Sequence, residues 1–590
     1  MRNKILKTTG SRIGMSILLT VVFAAIYFYV TLPAINLHNS SFYGFVAICL
    51  LVYIVVAMIL LGMDGKETAV TLRDYIAFAK SQCKIVVAVL LVLAATYVLG
   101  QLISMPIFRA NAYHSMLTVD SGTFVEDVKQ VSFNEIPMLD ETSARRLGNR
   151  KLGELADMVS QFEISTDYVQ INYLGRPVRV ACLEYGDFFK WFNNTGNGLP
   201  GYILVDMVTQ EVEVIRMSNL ELGGIHYSPS EYFNRDLTRA LRFQYPTYMF
   251  RAPHLEIDEA GEPWWVCPRE TRTIGLFGGP DILGAVLMNA TTGECVYYDI
   301  DDIPTWIDRV YTAELISMQY NYYGAYVNGF INSIIGQRDV TVTTDGYNYI
   351  AMNDDVYMYT GITSVSGDQS NIGFLLSNQR NKETVFYSAP GAIEQSARES
   401  AEGVVQDLRY TSTFPLLLNI AGQPTYFMSL KDGTDLVKMY AMVNVEQYNV
   451  VATGATVAQC EINYISELRS RGIATTGDVV IPAENQNQIS GPLAEIRTAV
   501  LDGNTYYFLR LADDSVFYSV KAASNPELII LNVGDEVVIQ SFAEPGSSSI
   551  LDAHSVQRAG NEAPSATAPV PSEGDETEPL EPEAETSDAT

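Results

Sequence analysis

Three apolar runs, Ile13–Ile35, Phe42–Met63 and Ile85–Met105, dictate what the first third of the chain can be. Each is about 20 residues long, the length an α-helix needs to cross the hydrocarbon core of a bilayer. Backbone polar groups in lipid must pair within their own segment, so runs of this kind read as membrane-spanning helices. The first run is too long for a cleaved leader, lacks a small-residue cleavage site and is followed by two more spans.

Basic residues set the expected orientation. Arg2, Lys4, Lys7 and Arg12 precede the first span, and Lys66, Arg73, Lys80 and Lys84 lie between the second and third. The loop Asn36–Ser41 carries none. The N-terminus and second loop are therefore expected in the cytoplasm, and everything after Pro106 outside the plasma membrane. Within the second loop, Val70–Lys80 has amphipathic helical character and suits the inner membrane surface. No span carries an ionisable residue at its middle, the usual mark of an ion or proton path, so anchoring is expected and transport is not. The formal charge of -30 argues against a nucleic-acid partner, because phosphate binding needs a basic surface.

Beyond Pro106 the hydrophobic period changes and the chain reads as α+β. Thr123–Val128 is expected to be a strand, and Glu141–Val159 a helix capped by Asp140. A hairpin follows around Gly175-Arg176-Pro177, then a third strand Gly201–Asp206 and a fourth segment from Thr209 to Val214. A second copy opens on Ser228-Pro229-Ser230-Glu231, read as a capping box for a helix with Phe233, Leu237, Ala240 and Leu241 on one face. Its hairpin turns at Gly261-Glu262-Pro263 and its third strand covers Gly284–Met288. A third copy has helical stretches within Trp306–Ile335, a strand pair over Val340–Tyr359 turning at Asp345-Gly346, and a third strand at Ile372–Leu376. A fourth has a helix near Ile393–Leu408, a turn at Gly422-Gln423-Pro424 and a third strand at Val437–Met442. The turn glycines fall 86, 85 and 76 residues apart, a repeat signal.

A helix followed by a three-stranded antiparallel sheet, with Asp-x-x-Thr-Gly-Glu-Val on the last hairpin, resembles the PepSY domain family. The second copy carries Asn289 and Thr292-Gly293-Glu294-Cys295-Val296; the first carries Asp206 and Thr209-Gln210-Glu211-Val212. The other two depart further. The resemblance covers roughly residues 120–455 and implies a non-catalytic extracytoplasmic module that binds or restrains peptidases.

Residues 456–472 read as an amphipathic helix, followed by a polar linker to Gln488. Short strands then run from Leu493 to Ser541 with a helix near Asn525–Leu531, an order that resembles an OB-type barrel. From Gly560 the chain is rich in Pro, Ala, Ser, Thr and Glu, and disorder is expected. The expected domains are 1–106 (membrane), 107–222, 223–304, 305–390 and 391–455 (modules), 456–488 (helix and linker), 489–558 (barrel) and 559–590 (tail).

Catalytic and metal signatures are sparse. None of His38, His114, His226, His254 and His554 sits at a metal-ligand spacing, although His254 and Glu256 share a strand face. Gly275-Leu-Phe-Gly278-Gly279-Pro280 lacks the lysine of a phosphate loop and reads as a turn. Asp299, Asp301, Asp302, Asp354 and Asp355 offer oxygens for Ca²⁺ without a spacing that builds a shell. Cys267 and Cys295 are expected on neighbouring strands, as buried thiols in preference to a disulfide. No cofactor or metal is expected. The candidate binding surface is aromatic: Phe188, Phe189, Trp191, Phe192, Trp264 and Trp265, with sheet packing as the plainer role.

The sequence thus points to a membrane-anchored, extracytoplasmic binding or scaffold protein, not an enzyme, with the lipid bilayer and an envelope protein as partners. Two alternatives stay open: an envelope hydrolase with a carboxylate-based site, and an accessory subunit of a membrane transport complex.

Overall fold

In the computed structural model the apolar runs form helices α1 (Thr9–Thr31), α2 (Ser40–Gly62) and α3 (Lys84–Ile103). The structure describes residues 9–62, 83–129, 136–352, 354–365, 370–473, 475, 487–501, 504–522, 525–541 and 550–559. Val70–Lys80 and the tail from Gly560 lie outside them. The most apolar windows of the three helices have mean hydropathies of 2.2, 2.8 and 2.4, yet only 6%, 11% and 6% of each is covered by protein. Surfaces so apolar and so bare suit a lipid solvent, and they associate the protein with a membrane.

Helix α4 (Pro106–His114) follows at once, then β1 (Asp120–Gly122). Phe124–Asp127 is a single helical turn, so the strand expected over Thr123–Val128 is replaced by β1 and this turn. Helix α5 (Glu141–Gly153) is capped by Asp140, whose carboxylate accepts the Ser143 N–H at 2.9 Å.

Four antiparallel sheets come next, each a meander whose first strand is broken in two. In sheet 1, β2 (Phe162–Ile164) and β3 (Val169–Tyr173) both pair with β4 (Arg176–Tyr185); helix α6 (Phe188–Asn194), β5 (Gly201–Asp206) and β6 (Val212–Arg216) follow. After α7 (Leu237–Gln244), sheet 2 places β7 (Met249–Phe250) and β8 (His254–Ile257) on β9 (Pro263–Ile274), then β10 (Gly278–Asn289) and β11 (Cys295–Asp299). After α8 (Ala313–Ala325), sheet 3 places β12 (Thr341–Thr343) and β13 (Asn348–Met352) on β14 (Asp355–Ser364), then β15 (Ser370–Asn378) and β16 (Thr384–Ala392). After α9 (Glu394–Val404), sheet 4 places β17 (Thr411–Ser412) and β18 (Leu416–Ile420) on β19 (Gln423–Lys431), then β20 (Val437–Asn444) and β21 (Val451–Gly454). Helix α10 (Val457–Ser470) closes the series. The outer edge of sheet 3 is filled by β1, which pairs with β16 in parallel.

Turn chemistry explains why four different sequences make one unit. Leu174 and Gly175 (φ 51° and 75°), like Ala421 and Gly422 (55° and 76°), have positive φ at both central positions. That turn type matches the twist of the flanking strands. In sheet 3 the hairpin turns after Met352, which pairs with Asp355, and Asp354 takes φ 67°. The expected turn at Asp345-Gly346 instead separates β12 from β13. The hairpin joining third and fourth strands is shared by all four sheets. Asp206 Oδ1 accepts from the N–H groups of Val208 and Thr209, Asn289 from Thr291 and Thr292, Asn378 from Arg380 and Asn381, and Asn444 from Gln447. The third and fourth copies thus depart in sequence more than in turn geometry.

Sheets 1 and 2 share a core with α5 and α7; sheets 2 and 3 share one with α8; sheets 3 and 4 share one with α9 and α10. Sheet 4 returns to the first module through polar contacts, Lys431 to Asp140 (2.7 Å) and Arg146 to Asp435 (2.6 Å). Helix α7 starts at Leu237, capped by Asp236, not at the Ser228–Glu231 box. Glu231 is buried and accepts from Tyr185 Oη (2.9 Å) and Trp191 Nε1 (2.6 Å), a tertiary role that outcompetes capping.

Helix α7 and the segment that leads from it into sheet 2 seat on the ends of the apolar helices. Ile35 N–H donates to Pro246 O (2.8 Å), Asn36 Nδ2 to Thr247 O (2.9 Å), and Arg242 Nε to Leu32 O (3.0 Å). The β9–β10 tip reaches farther: Leu276 and Phe277 N–H both donate to Ser104 Oγ at 3.0 Å. Glycines permit this approach. A Cβ on Gly100 would meet Leu276 and Phe277 at 2.7 Å, and one on Gly275 (φ 63°) would meet Ser104 Oγ at 2.5 Å.

The chain divides into two units, Met1–Val479 and Val480–Thr590. In the second, β22 (Asn487–Leu501) pairs with β23 (Asn504–Leu511), which pairs with β24 (Phe517–Lys521). A 3-10 turn (Pro526–Ile530), β25 (Glu536–Ser541) and β26 (Ile550–Arg558) follow. β26 pairs in parallel with β24 and antiparallel with β25, which returns to β22. β26 is a fifth strand beyond those expected from the sequence. The residues it encloses, among them Leu509, Tyr518, Val537 and Ile539, form a separate core.

Candidate functional site

Strand register superposes the four units residue by residue and shows where they differ. Arg179, Trp265, Met358 and Tyr426 each lie next to the pair made by the shared Asp or Asn: Asp206 with Val178, Asn289 with Trp264, Asn378 with Tyr357, Asn444 with Thr425. At this one position two copies bury an aromatic ring, one a methionine, and the first an arginine. The aromatic tips bond to the carbonyl ahead of their own helix, Trp265 Nε1 to Tyr227 O (2.7 Å) and Tyr426 Oη to Ala392 O (2.9 Å).

Arg179 is only 6% exposed. Its Nη1 donates to Tyr168 O (2.9 Å) and Nη2 to Gln170 Oε1 (3.4 Å), while its Nε is buried without a partner. No carboxylate among the described residues forms an ion pair with it. Burial holds its pKa below the usual guanidinium value, the sign of a cation short of compensation.

Arg179 lines a cavity of about 210 Å³ where the first module meets sheets 3 and 4, together with Asp140, Glu141, Tyr347, Tyr349 and Ser429. The other charges there are committed. Burial opposes ionisation of Asp140, but hydrogen bonds from Lys431 and Ser143 outweigh it and keep its pKa below the ordinary range. Glu141 pairs with Arg145 (2.7 Å). Tyr347 donates to Glu314. Burial raises the Tyr349 hydroxyl, so this ring stays neutral. Tyr347 and Ser429 already donate, to Glu314 and to Met138 O, so what the cavity offers a guest is the undercompensated Arg179 cation, which suits an anionic group.

A second polar cluster lies on β8. Glu256, fully buried, takes His254 Nε2 at 3.0 Å and the backbone N–H groups of Arg309 (3.0 Å) and Asp308 (2.8 Å). Asp308 accepts from Asn172 N–H (2.6 Å), and burial, then the neighbouring Glu256 charge, raises its pKa well above the carboxylate range. Burial, then Arg309, lowers the His254 pKa. Apart from the His254–Glu256 bond within β8, these contacts tie the loop at Asp308 and Arg309 to strands β8 and β3. Asp354 accepts from Asn172 Nδ2 (3.1 Å), and Asp355 pairs with Arg380 (2.6 Å). No group of three or more His, Cys, Asp or Glu among the described residues is placed to hold a metal ion.

The aromatic residues singled out in the sequence divide. Phe188, Phe189 and Phe192 are exposed on α6, which Asp187 caps. Trp191 is buried against Glu231, and Trp265 is buried in the shared core. Trp264 is half-buried, donates to Asp258 (3.3 Å) and lies 6.2 Å from the Trp306 ring. The structure does not bring the two tryptophans and the phenylalanines into one surface. Cys267 pairs with Val286 and Cys295 with Met288, so β10 separates their strands and both thiols are free. His38 and His114 fasten other elements, to Leu276 O (2.9 Å) and Tyr323 O (2.6 Å). Arg179 escaped sequence reasoning because its neighbours, Val178 and Val180, mark it as ordinary strand; only the register of the repeats exposes it.

No protein-family model matches the chain, and no curated protein matches it. Among solved structures, that of a B. megaterium levansucrase mutant is similar over 76% of this chain and 98% of that one, at 9% identity and a TM-score of 0.16. So low a score carries no argument about this chain.

Proposed function

We propose that the protein is a non-catalytic binding or scaffold protein of the cell envelope, anchored in the plasma membrane by three spans. Its N-terminus is cytoplasmic and its sheets and C-terminal unit are extracytoplasmic. The modules are PepSY-like and the last unit OB-like, the latter supported by its pairing order 1-2-3-5-4. The partner is an envelope protein, a peptidase among the candidates, that presents an anionic group to the cavity. The observation that carries this reading is Arg179, the buried cation that replaces a core residue in one copy of four.

In-cell photocrosslinking from position 347, with the full chain in its membrane, tests it. A partner protein should be captured, and Arg179→Met, which installs the residue of the third copy, should abolish capture while leaving the fold intact. Capture unchanged by Arg179→Met removes the cavity from the reading; no captured protein removes the reading. A hydrolase is the second reading, favoured by the raised Asp308 carboxyl beside Glu256. Peptide- or glycan-cleaving activity lost in Asp308→Asn would install it. An accessory role in a transport complex would appear as stoichiometric co-purification with a larger membrane assembly.

A further inference from the structure

Two exposed apolar surfaces remain that neither the cavity nor the shared cores explain. The first combines α6 with α7 and the segment leading into it: Phe189 is 76% exposed, Phe192 68%, Phe233 58% and Phe243 55%. Ring contacts make it continuous, Phe188 to Tyr232 at 5.2 Å and Trp191 to Phe233 at 5.8 Å. It joins the end of the first apolar helix, where Phe243 lies 5.9 Å from the Phe28 ring and Arg239 Nε donates to Tyr29 O at 3.3 Å.

The second surface adjoins the end of α3. Ile107 and Phe108 open α4 at 53% and 67% exposure. Beside α4, the helical turns of residues 329–336 present Ile331, Ile334 and Ile335 at 73%, 61% and 81%. A file of rings, Tyr113 to Tyr326 (6.2 Å) and Tyr326 to Phe330 (6.3 Å), links the two elements. Single exposed apolar residues are common, but clusters of bulky ones signal a contact.

We propose that both surfaces rest in the headgroup region of the bilayer, so that sheet 2 and its neighbours lie down on the membrane and do not stand clear of it. The occupant is lipid because each surface begins where an apolar helix ends. The β9–β10 tip, seated against Gly100 and Ser104 between the two, fixes the height of both. Aromatic residues favour that interfacial depth, and bulky aliphatic side chains on short helices bury about 5–10 Å into it. The inference rests on the membrane reading of α1–α3.

The full chain, reconstituted in phosphatidylcholine vesicles, tests this by fluorescence quenching with brominated lipid, corrected for the native tryptophans. Phe189→Trp and Ile335→Trp probe the two surfaces, Val92→Trp reports from within α3, and Leu408→Trp reports from exposed sheet-4 surroundings. Quenching at positions 189 and 335 should exceed that at 408 by at least about twofold, with position 92 quenched most. Position 92 quenched while 189 or 335 matches 408 overturns the proposal and leaves the spans standing. Position 92 unquenched overturns both. A protein partner covering these surfaces in cells would give the first of those failures in pure lipid.

Discussion

Sheets 2 and 4 are the same unit put to different ends. Both turn at a Gly-x-Pro, both bury an aromatic ring at the same register, and both close with an Asn-capped hairpin. Their central hairpins differ in reach. In sheet 2 the strands run 12 residues each and the tip lodges between apolar helices. In sheet 4 they run 9 and 8 residues, and the tip is a polar turn in which Asp432 accepts from Thr434 and Leu436 and Asp435 pairs with Arg146 of α5. The shared residues specify the unit, and the extension beyond them specifies its place in the molecule.

Four measurements break or sharpen that contrast. The largest effect is expected in the common core: Trp265→Ala and Tyr426→Ala should each cost about 3–5 kcal/mol in denaturant unfolding. A loss in one sheet only would end the claim of equivalence. Next comes Glu461 on α10, packed on sheet 4, whose pKa burial raises to about 7. The folded state then holds this proton more tightly than the unfolded chain. The stabilisation that Glu461 contributes should therefore be full below about pH 4.5, fall as pH rises toward 7 and be lost above it. The fall should be on the order of 2–3 kcal/mol, and Glu461→Gln should flatten it by that amount. Gly100→Leu should cost about 1–3 kcal/mol by overpacking the docked tip, and hydrogen exchange should accelerate at residues 275–278. Gly433→Leu, at a position in the sheet-4 tip where an added Cβ meets nothing within 4 Å, should shift stability by less than about 0.5 kcal/mol. Equal responses at the two tips would dissolve the distinction between a tip packed among helices and one held by a surface ion pair.

The sequence made legible what is local. The apolar spans, the Asp140 cap and the Gly-x-Pro turns follow from length, capping and backbone angles that a short window contains. What it hid was settled by partners far along the chain. Glu231 sits at a capping position but is claimed by Tyr185 and Trp191, 46 and 40 residues away. Of the turn read over Gly275–Pro280, Gly275–Phe277 form it and Gly278–Pro280 open β10, and its docking partner Ser104 is 172 residues away from Leu276. Gly346 happened to fall in phase with the other turn glycines, and only strand register revealed the true turn near Asp354. Arg179 became a candidate once the copies were superposed, because its difference from Trp265, Met358 and Tyr426 is invisible in any one of them.

Ser104 has a mechanical consequence. Its Oγ receives Leu276 and Phe277 N–H while its own hydroxyl donates to Gly100 O at 2.7 Å, so one small side chain at the end of α3 joins sheet 2 to the helix directly. A force that lifts the sheets away from the helices would load this joint, and the bonds of Ile35, Asn36 and Leu32 to α7 and the segment that leads from it into sheet 2, before it could stretch α4 or β1. The helices hold the sheets as a bracket fixed at two points and not as a leash, and a tension on the sheets would pass to the helices without first paying out slack.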